Sequence, residues 1–305
     1  MRRKIIKQGV ASLTISLPAK WARKNHLTAG SEVDVDESQQ GLLIGSVSAP
    51  AKKTVWLKIT NQNRQDVRVL LSHAYRMGFD TIILEGAGEV AQEVNTVTRD
   101  LLLGFEVTER AGNQLTVSNL SEPAQEKYDV LVRRSLLIIK ETLQVLAQSV
   151  AKGKFNRLSE VEDLKKQQDK FVLFCRRILM RGGQENSLVQ WELLAFVMHI
   201  EHAVYYLYSY GSQDDVKPSG QVQELVVLLE RYFQLLYDAY SSRDITYIHK
   251  INELKKELQF GKCYAALNNS KGKNAVIASH LRELFRLVQI ASSPILSELV
   301  QAMLG

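Results

Sequence analysis

From Pro123 to the C-terminus no run alternates between apolar and polar residues, which leaves helices as the only regular structure this half can form. Six segments carry apolar residues at helical spacing, near residues 123–152, 157–181, 186–210, 220–241, 244–267 and 275–303. Gly153, Gly182 with Gly183, Gly211, Pro218 with Gly220, and Gly272 punctuate them. A shift of 90 residues lays Leu164, Lys165 and Lys166 on Leu254, Lys255 and Lys256, Val145 and Leu146 on Leu235 and Leu236, and Phe155 on Ile245. The expected architecture of residues 123–305 is therefore two related three-helix bundles in tandem.

The middle of the chain reads differently. Residues 48–53 form a short linker, and residues 54–120 show the pattern of a small α/β domain. Thr54 to Thr60 is an expected strand. Asn63 to Met77 places Val67, Leu70, Leu71, Ala74 and Tyr75 on one helical face, and Gly78 stops that helix. Thr81 to Leu84 is a short apolar strand, and Val90, Val94, Val97 and Leu101 repeat at helical spacing. Phe105 to Glu109 and Gln114 to Leu120 flank Arg110-Ala-Gly-Asn113 as a hairpin would. The unit is β-α-β-α-β-β. Gly86-Ala-Gly88 follows a strand, but it lacks the third glycine and the Lys-Ser/Thr of a phosphate-cradling loop, so it is read as a turn.

Residues 1–47 split their charge. Met1 to Lys24 hold seven Lys and Arg residues and no acid, while Asn25 to Val47 hold four acids and neither Lys nor Arg. These 47 residues supply three of the net six positive charges of the chain. Arg2, Arg3, Lys4 and Lys7 precede an alternating run in which Ser12, Thr14 and Ser16 separate Leu13, Ile15 and Leu17, the period of a half-buried strand. Pro18 ends that strand and suits a first helical turn. The helix expected over Pro18 to Asn25 sets Lys20, Arg23 and Lys24 at i, i+3 and i+4 on one face. Gly30 turns the chain into a strand over residues 31–37, and Gly41 opens a last strand from Leu42 to Val47. Trp21 and Leu27 are expected in the core. A module below about 50 residues buries too little surface by itself and needs a partner chain or a staple.

Read with R-R-K-I-I-K-Q-G, S-L-T-I-S-L-P-A-K-W-A-R-K and A-G-S-E-V-D-V-D-E, residues 1–47 resemble the AbrB/MazE/SpoVT family of DNA-binding domains. That resemblance implies a barrel of hairpins swapped between two chains, hence a homodimer, with basic residues of the first strand and short helix on double-stranded DNA. By position these are Arg2, Arg3, Lys4, Lys7, Lys20, Arg23 and Lys24. Such a domain ahead of a small α/β unit and tandem bundles resembles the archaeal PhoU-like phosphate uptake regulators over nearly the whole chain. G-F-E-V-T-E-R and L-S-E-P-A-Q-E-K-Y-D-V-L look similar to that family's hairpin entry and first bundle helix. The implied fold class is multidomain α+β: a swapped-hairpin barrel, a small α/β unit and two PhoU-like three-helix bundles.

PhoU proteins hold metal clusters through E/D-x-x-x-D motifs, whose carboxylates share one helix face. Here the first-repeat position reads Glu201-His-Ala-Val-Tyr205, and the second, Ala291-Ser-Ser-Pro-Ile295, has no acid. Asp169 is the carboxylate left on the neighbouring helix. His199 and His202 flank Glu201 beside an aromatic run and are read as packed side chains, so no metal and no cofactor is expected. Tyr205, Tyr206, Tyr208 and Tyr210 are read as core, interface and rim residues. No Ser-His-Asp or Cys-His arrangement can be placed, and Cys175 beside Arg176 and Arg177 is read as a buried thiol, so no catalytic residue is assigned. Two cysteines without ligand spacing suit a reducing cytoplasm. The most apolar long helix, Leu188 to Tyr210, is interrupted by Glu192, His199, Glu201 and His202, so no membrane insertion is expected. The resulting expectation is a cytoplasmic DNA-binding transcriptional regulator of phosphate uptake or a related stress response, with a helical sensing or docking module. The alternatives are a signalling adaptor docking on a phosphate transporter or sensor kinase, and an antitoxin-like partner protein.

Overall fold

The computed structural model describes residues 2–9, 12–38, 41–46, 52–61, 66–121, 127–182, 186–213 and 216–303. Val10, the end of the last N-terminal strand at Val47, linker residues 48–51, the expected helix starts at residues 63–65 and 123–126, and Gly183 lie outside the described residues. The fold is α+β with a predominantly helical C-terminal part. The chain divides into two compact units, Met1–Lys52 and Lys53–Gly305.

In the first unit, strands β1 (Ile5–Gln8) and β2 (Ser12–Ile15) form one antiparallel hairpin, and β3 (Val33–Ser38) and β4 (Gly41–Ser46) form another. Between them lies α1 (Ala19–Lys24), with Pro18 as its cap residue. Each hairpin is a two-stranded sheet, so among the described residues no barrel is closed within one chain. The β1–β2 register pairs Ile5 with Ile15 and Lys7 with Leu13, which puts these four on one face because directly opposed residues share a side of the sheet. Ile5, Leu13 and Ile15 are all exposed, at 66, 71 and 50 %. Trp21 and Leu27, expected in the core, are half-buried. A unit this small has too few residues to enclose its own apolar side chains.

In the second unit, β5 (Thr54–Lys58), β6 (Thr81–Glu85), β7 (Phe105–Ala111) and β8 (Gln114–Asn119) form a sheet of order β5-β6-β8-β7. The β5–β6 pair is parallel and the others antiparallel, joined through α2 (Val67–Arg76) and α3 (Ala91–Leu101). Ile82 and Leu84 of β6 and Leu115 and Val117 of β8 are buried, while Trp56 of β5 is exposed. Tyr75 of α2 meets the ring of Phe105 edge to face at 5.0 Å. The turn at Gly86 and Gly88 is structural. Gly86 has φ +78° with the Ile59 carbonyl where a Cβ would point, and the Gly88 N–H donates to Asn113 Oδ1 at 2.6 Å. The amide that a phosphate loop would need is already engaged.

The helices are α4 (Tyr128–Lys152), α5 (Leu158–Met180), α6 (Ser187–Gln213), α7 (Gly220–Ser242), α8 (Ile245–Lys255), α9 (Cys263–Asn269) and α10 (Lys273–Ala302). Helices α4, α5 and α6 pack together, as do α7, α8 with α9, and α10, and α6 with α10 and α4 with α7 join the two groups. The segment expected as one helix from 244 to 267 is interrupted by a π-helical stretch, Lys256–Lys262. A π turn takes up extra residues. Consequently Gln259, rather than the Leu258 that a constant shift of 90 would match to Gln168, makes the corresponding cross-link. Gln168 Nε2 donates to the Val197 carbonyl of α6 at 3.1 Å, and Gln259 Nε2 donates to the Phe285 carbonyl of α10 at 3.3 Å. Helices α2 and α3 pack against each other and against α5, which ties the sheet layer to the first bundle.

Candidate functional site

The basic face of the first unit is built from a strand and one helical turn and a half. Arg2, Arg3, Lys4 and Lys7 are exposed at and before β1, and Lys20, Arg23 and Lys24 are exposed on α1. Arg23 and Lys24 occupy the last turn of α1, where a cation complements the carbonyl end of the helix. Arg23 Nε donates to the Ala19 carbonyl at 3.3 Å. The helix ends cleanly: Asn25 Nδ2 donates to the Trp21 carbonyl at 2.9 Å and the Leu27 N–H to Ala22 at 2.9 Å. Lys7 differs from the others, because its register position opposite Leu13 places it on the apolar face of the hairpin.

A second site lies in the larger unit. A cleft of about 620 Å³ is lined from α2 by Arg68, His73 and Arg76, from α5 by Lys165, Lys166 and Asp169, and from α6 by His202 and Tyr205. Asp169 is its buried hub. The Lys165 ammonium donates to Oδ2 at 2.8 Å, Arg68 reaches the same oxygen at 3.3 Å, and His202 Nε2 lies 2.7 Å from Oδ1. Burial alone would raise the Asp169 pKa, but the bonds from His202 and Lys165 outweigh it and hold the carboxyl below its usual range. Asp169 is thus a saturated structural anion, and its neighbours His202 and Lys165 are committed to it.

Glu201, the next residue on α6, faces the interior and is fully buried. Burial pushes its pKa up to about 8, with the nearby Asp169 charge acting in the same direction. The hydrogen bonds agree with a neutral acid. Thr142 Oγ1 lies 2.8 Å from Glu201 Oε1 and 3.0 Å from the Ile138 carbonyl, yet a hydroxyl has one hydrogen to give. When that hydrogen goes to Ile138, Thr142 accepts the proton of Glu201, and both contacts are satisfied. Sequence spacing shows Glu201 as a surviving ligand carboxylate; its burial as a protonated acid is legible only in three dimensions. Among the described residues no group of three or more His, Cys, Asp and Glu side chains is arranged to hold a metal ion.

Between α2, α5 and α6 lies a cluster that sequence spacing does not reveal. Trp191 of α6 carries the Arg176 guanidinium 4.8 Å from its ring centroid and that of Arg76 at 5.9 Å. Arg76 Nη2 lies 3.0 Å from His73 Nδ1 and 3.1 Å from Nε2, and it can donate only to a ring nitrogen that carries no hydrogen. Burial, with Arg76 and Arg176 beside it, lowers the His73 pKa accordingly. The pKa of His199 is likewise lowered by burial, with His202 and Arg176 beside it acting in the same direction.

Cys175 and Cys263 are both buried. Cys175 Sγ donates to the Tyr128 carbonyl at 3.9 Å, and burial raises its pKa far above the range of a reactive thiol. Among the described residues no helix is long and apolar enough to cross a membrane. No protein-family model, curated protein or solved structure matches the chain.

Proposed function

We propose that the chain is a dimeric, cytoplasmic DNA-binding transcriptional regulator of phosphate uptake or a related stress response, whose helical half is a PhoU-like sensing or docking module. The observation that carries this reading is the pairing of two surfaces in the first unit. Arg2, Arg3 and Lys4 sit exposed ahead of β1 and Lys20, Arg23 and Lys24 on α1, and the apolar residues of both hairpins, Ile5, Leu13, Ile15, Val35 and Leu42, are at least half exposed in a single chain. A two-stranded hairpin is marginal alone in water. A second copy that interleaves its hairpins covers these side chains and doubles the basic face, giving a two-fold surface suited to duplex DNA. The AbrB-like sequence pattern supplies the same arrangement.

Cations facing phosphates make affinity strongly dependent on salt, with a log–log slope of about −0.9 per neutralised phosphate. Titration of the full-length protein into duplex DNA between 50 and 200 mM salt, a range over which about 10³-fold is lost for six contacts, tests the reading. The variant carrying Lys20→Glu, Arg23→Glu and Lys24→Glu is expected to lose binding to every duplex and to flatten the slope. Parent-like binding by that variant would sink the DNA-binding assignment.

A further inference from the structure

Arg176 is 4 % exposed, its Nε has no hydrogen-bond partner, and among the described residues no carboxylate lies within ion-pair distance of it. Its neighbour Arg76 is half-buried, but its Nε is buried without a partner, and the side-chain contacts of its guanidinium go to the His73 ring. Two like charges therefore share the Trp191 ring at 4.8 and 5.9 Å. Cation–π attraction to one shared ring is small beside the cost of desolvating an unpaired ion. Burial lowers the pKa of both groups, that of Arg176 to about 10 with Arg76 adding to the effect. The other buried arginine of α5 shows the contrast, since Arg177 is matched by Asp80 and by two carbonyls.

We propose that Arg76 and Arg176, with His73 beside them, form a binding site for a phosphoryl dianion, either free phosphate or the phosphate of a small ester. Arg76 and His73 line the 620 Å³ cleft, whereas Arg176 is not on its wall and shares the Trp191 ring with Arg76, so the site opens to the cleft through Arg76; that volume lies in the range of small-molecule sites. Arginine forks match tetrahedral oxyanions bidentately, and two of them beside an imidazole carry more positive charge than one carboxylate neutralises. The cleft's other cations are otherwise occupied: Arg68 and Lys165 on Asp169, and Lys166 with Asp163 at 3.8 Å. The anion would supply the missing counter-charge, drawing α2 of the α/β layer onto α5. The inference uses only the second unit and stands whether or not the chain binds DNA.

Thermal unfolding and equilibrium dialysis of the full-length protein test it, with sodium phosphate, AMP and sodium chloride compared at equal ionic strength. Phosphate or AMP is expected to raise the melting temperature and to bind saturably, whereas chloride does neither. Tighter binding of AMP than of phosphate identifies the ester as the ligand; equal binding identifies free phosphate. Arg76→Met is expected to weaken binding at least 10-fold, and Arg176→Met to abolish the phosphate-dependent rise while leaving the protein as stable as the parent in chloride, because it removes an unpaired charge. Arg176→Lys, which keeps the charge and loses the fork, should retain part of the rise and guards against a folding defect in the methionine variant. An identical response to phosphate and chloride in the parent, or a phosphate response undiminished in the Arg76→Met, Arg176→Met double variant, would overturn the proposal.

Discussion

Arg177 of α5 donates through Nη2 to Asp80 Oδ1 at 2.7 Å, and the two side chains are 0 and 8 % exposed. Around this pair several strong donors converge. Arg177 Nη1 reaches the carbonyls of Tyr75 and Phe79 at 3.1 and 2.6 Å, Arg181 also bonds Asp80, and Asp80 Oδ2 accepts the Lys53 N–H at 3.0 Å. The guanidinium lies over the rings of Tyr75 and Phe105. One bundle residue thereby pins the end of α2 and the start of β6 to α5.

Breaking one side of a buried, hydrogen-bonded pair strands the other charge, at a cost of about 3–5 kcal/mol. Arg177→Met and Asp80→Asn are each expected to lose stability in that range at pH 7, read from urea unfolding. Burial would raise the Asp80 pKa, but the Lys53 amide with Arg181 and Arg177 holds it below the ordinary value. A depressed carboxyl stabilises above its unfolded pKa of about 3.9 and loses that contribution as pH falls through the folded one. The gap between the parent and Asp80→Asn should therefore narrow below about pH 4; a gap constant down to pH 3 would show that the carboxylate charge is not the cause.

Glu201 has the opposite sign. With a folded pKa of about 8 against the ordinary 4.5, the protonated side chain stabilises fully below pH 4.5, and that contribution is lost as pH rises toward 8. Glu201→Gln keeps an amide that can donate to Thr142 and does not ionise. The variant should match the parent near pH 4.5 and exceed it at pH 8, with melting curves at both pH values as the check. A parent whose stability is flat from pH 5 to 8 would contradict the buried neutral acid.

The helices of the second unit were legible largely because Gly153, Gly182 and Gly272 separate stretches with one apolar period. The break expected at Gly211 is absent, since α6 runs through it to Gln213 and the missing side chain makes room for the Phe155 ring rather than ending the helix. The π stretch at 256–262 was not legible, since Gln259 and Leu258 have the same local pattern and only the carbonyl of Phe285 selects between them. The first-unit strands were readable from alternation at Leu13 and Ile15, but alternation does not say which chain covers them. Most of the candidate sites stayed hidden for one reason: Arg76, Arg176 and Trp191 come from three helices, and no sequence spacing relates them. Charge counting likewise could not separate Arg177, matched inside the protein, from its unmatched neighbour Arg176.

Gly211 sits in α6 with the Phe155 ring where a side chain would be: a Cβ built there lies 2.7 Å from two ring carbons. Phe155 in turn packs edge to face on Tyr208 at 5.4 Å, whose hydroxyl bonds Ser149 and the Arg157 N–H. Gly211→Ala must displace that ring and is expected to cost about 1–3 kcal/mol by overpacking, although alanine is the better helix former by about 1 kcal/mol. Gly220→Ala meets nothing within 4 Å and serves as the control, with little change expected. Equal stability of the two variants in chemical denaturation would show that the Phe155 contact does not constrain the position.

Ile15 is half exposed in the single chain and stands opposite Ile5 in the β1–β2 register, with Leu13 and Lys7 as the next pair on that face. If a second copy covers this face, Ile15→Asp buries an unpaired carboxylate at the chain–chain boundary, a cost of several kcal/mol that the dimer must bear. The helical unit has its own large core. Light scattering should report a monomer for Ile15→Asp, while circular dichroism at 222 nm and the cooperative unfolding of the helices stay as in the parent. Ile6→Asp is the internal comparison, since Ile6 pairs with Thr14 on the opposite side of the hairpin and its substitution should leave the dimer intact. A dimer that survives Ile15→Asp as well as it survives Ile6→Asp would place the subunit interface elsewhere and remove the reason for interleaved hairpins.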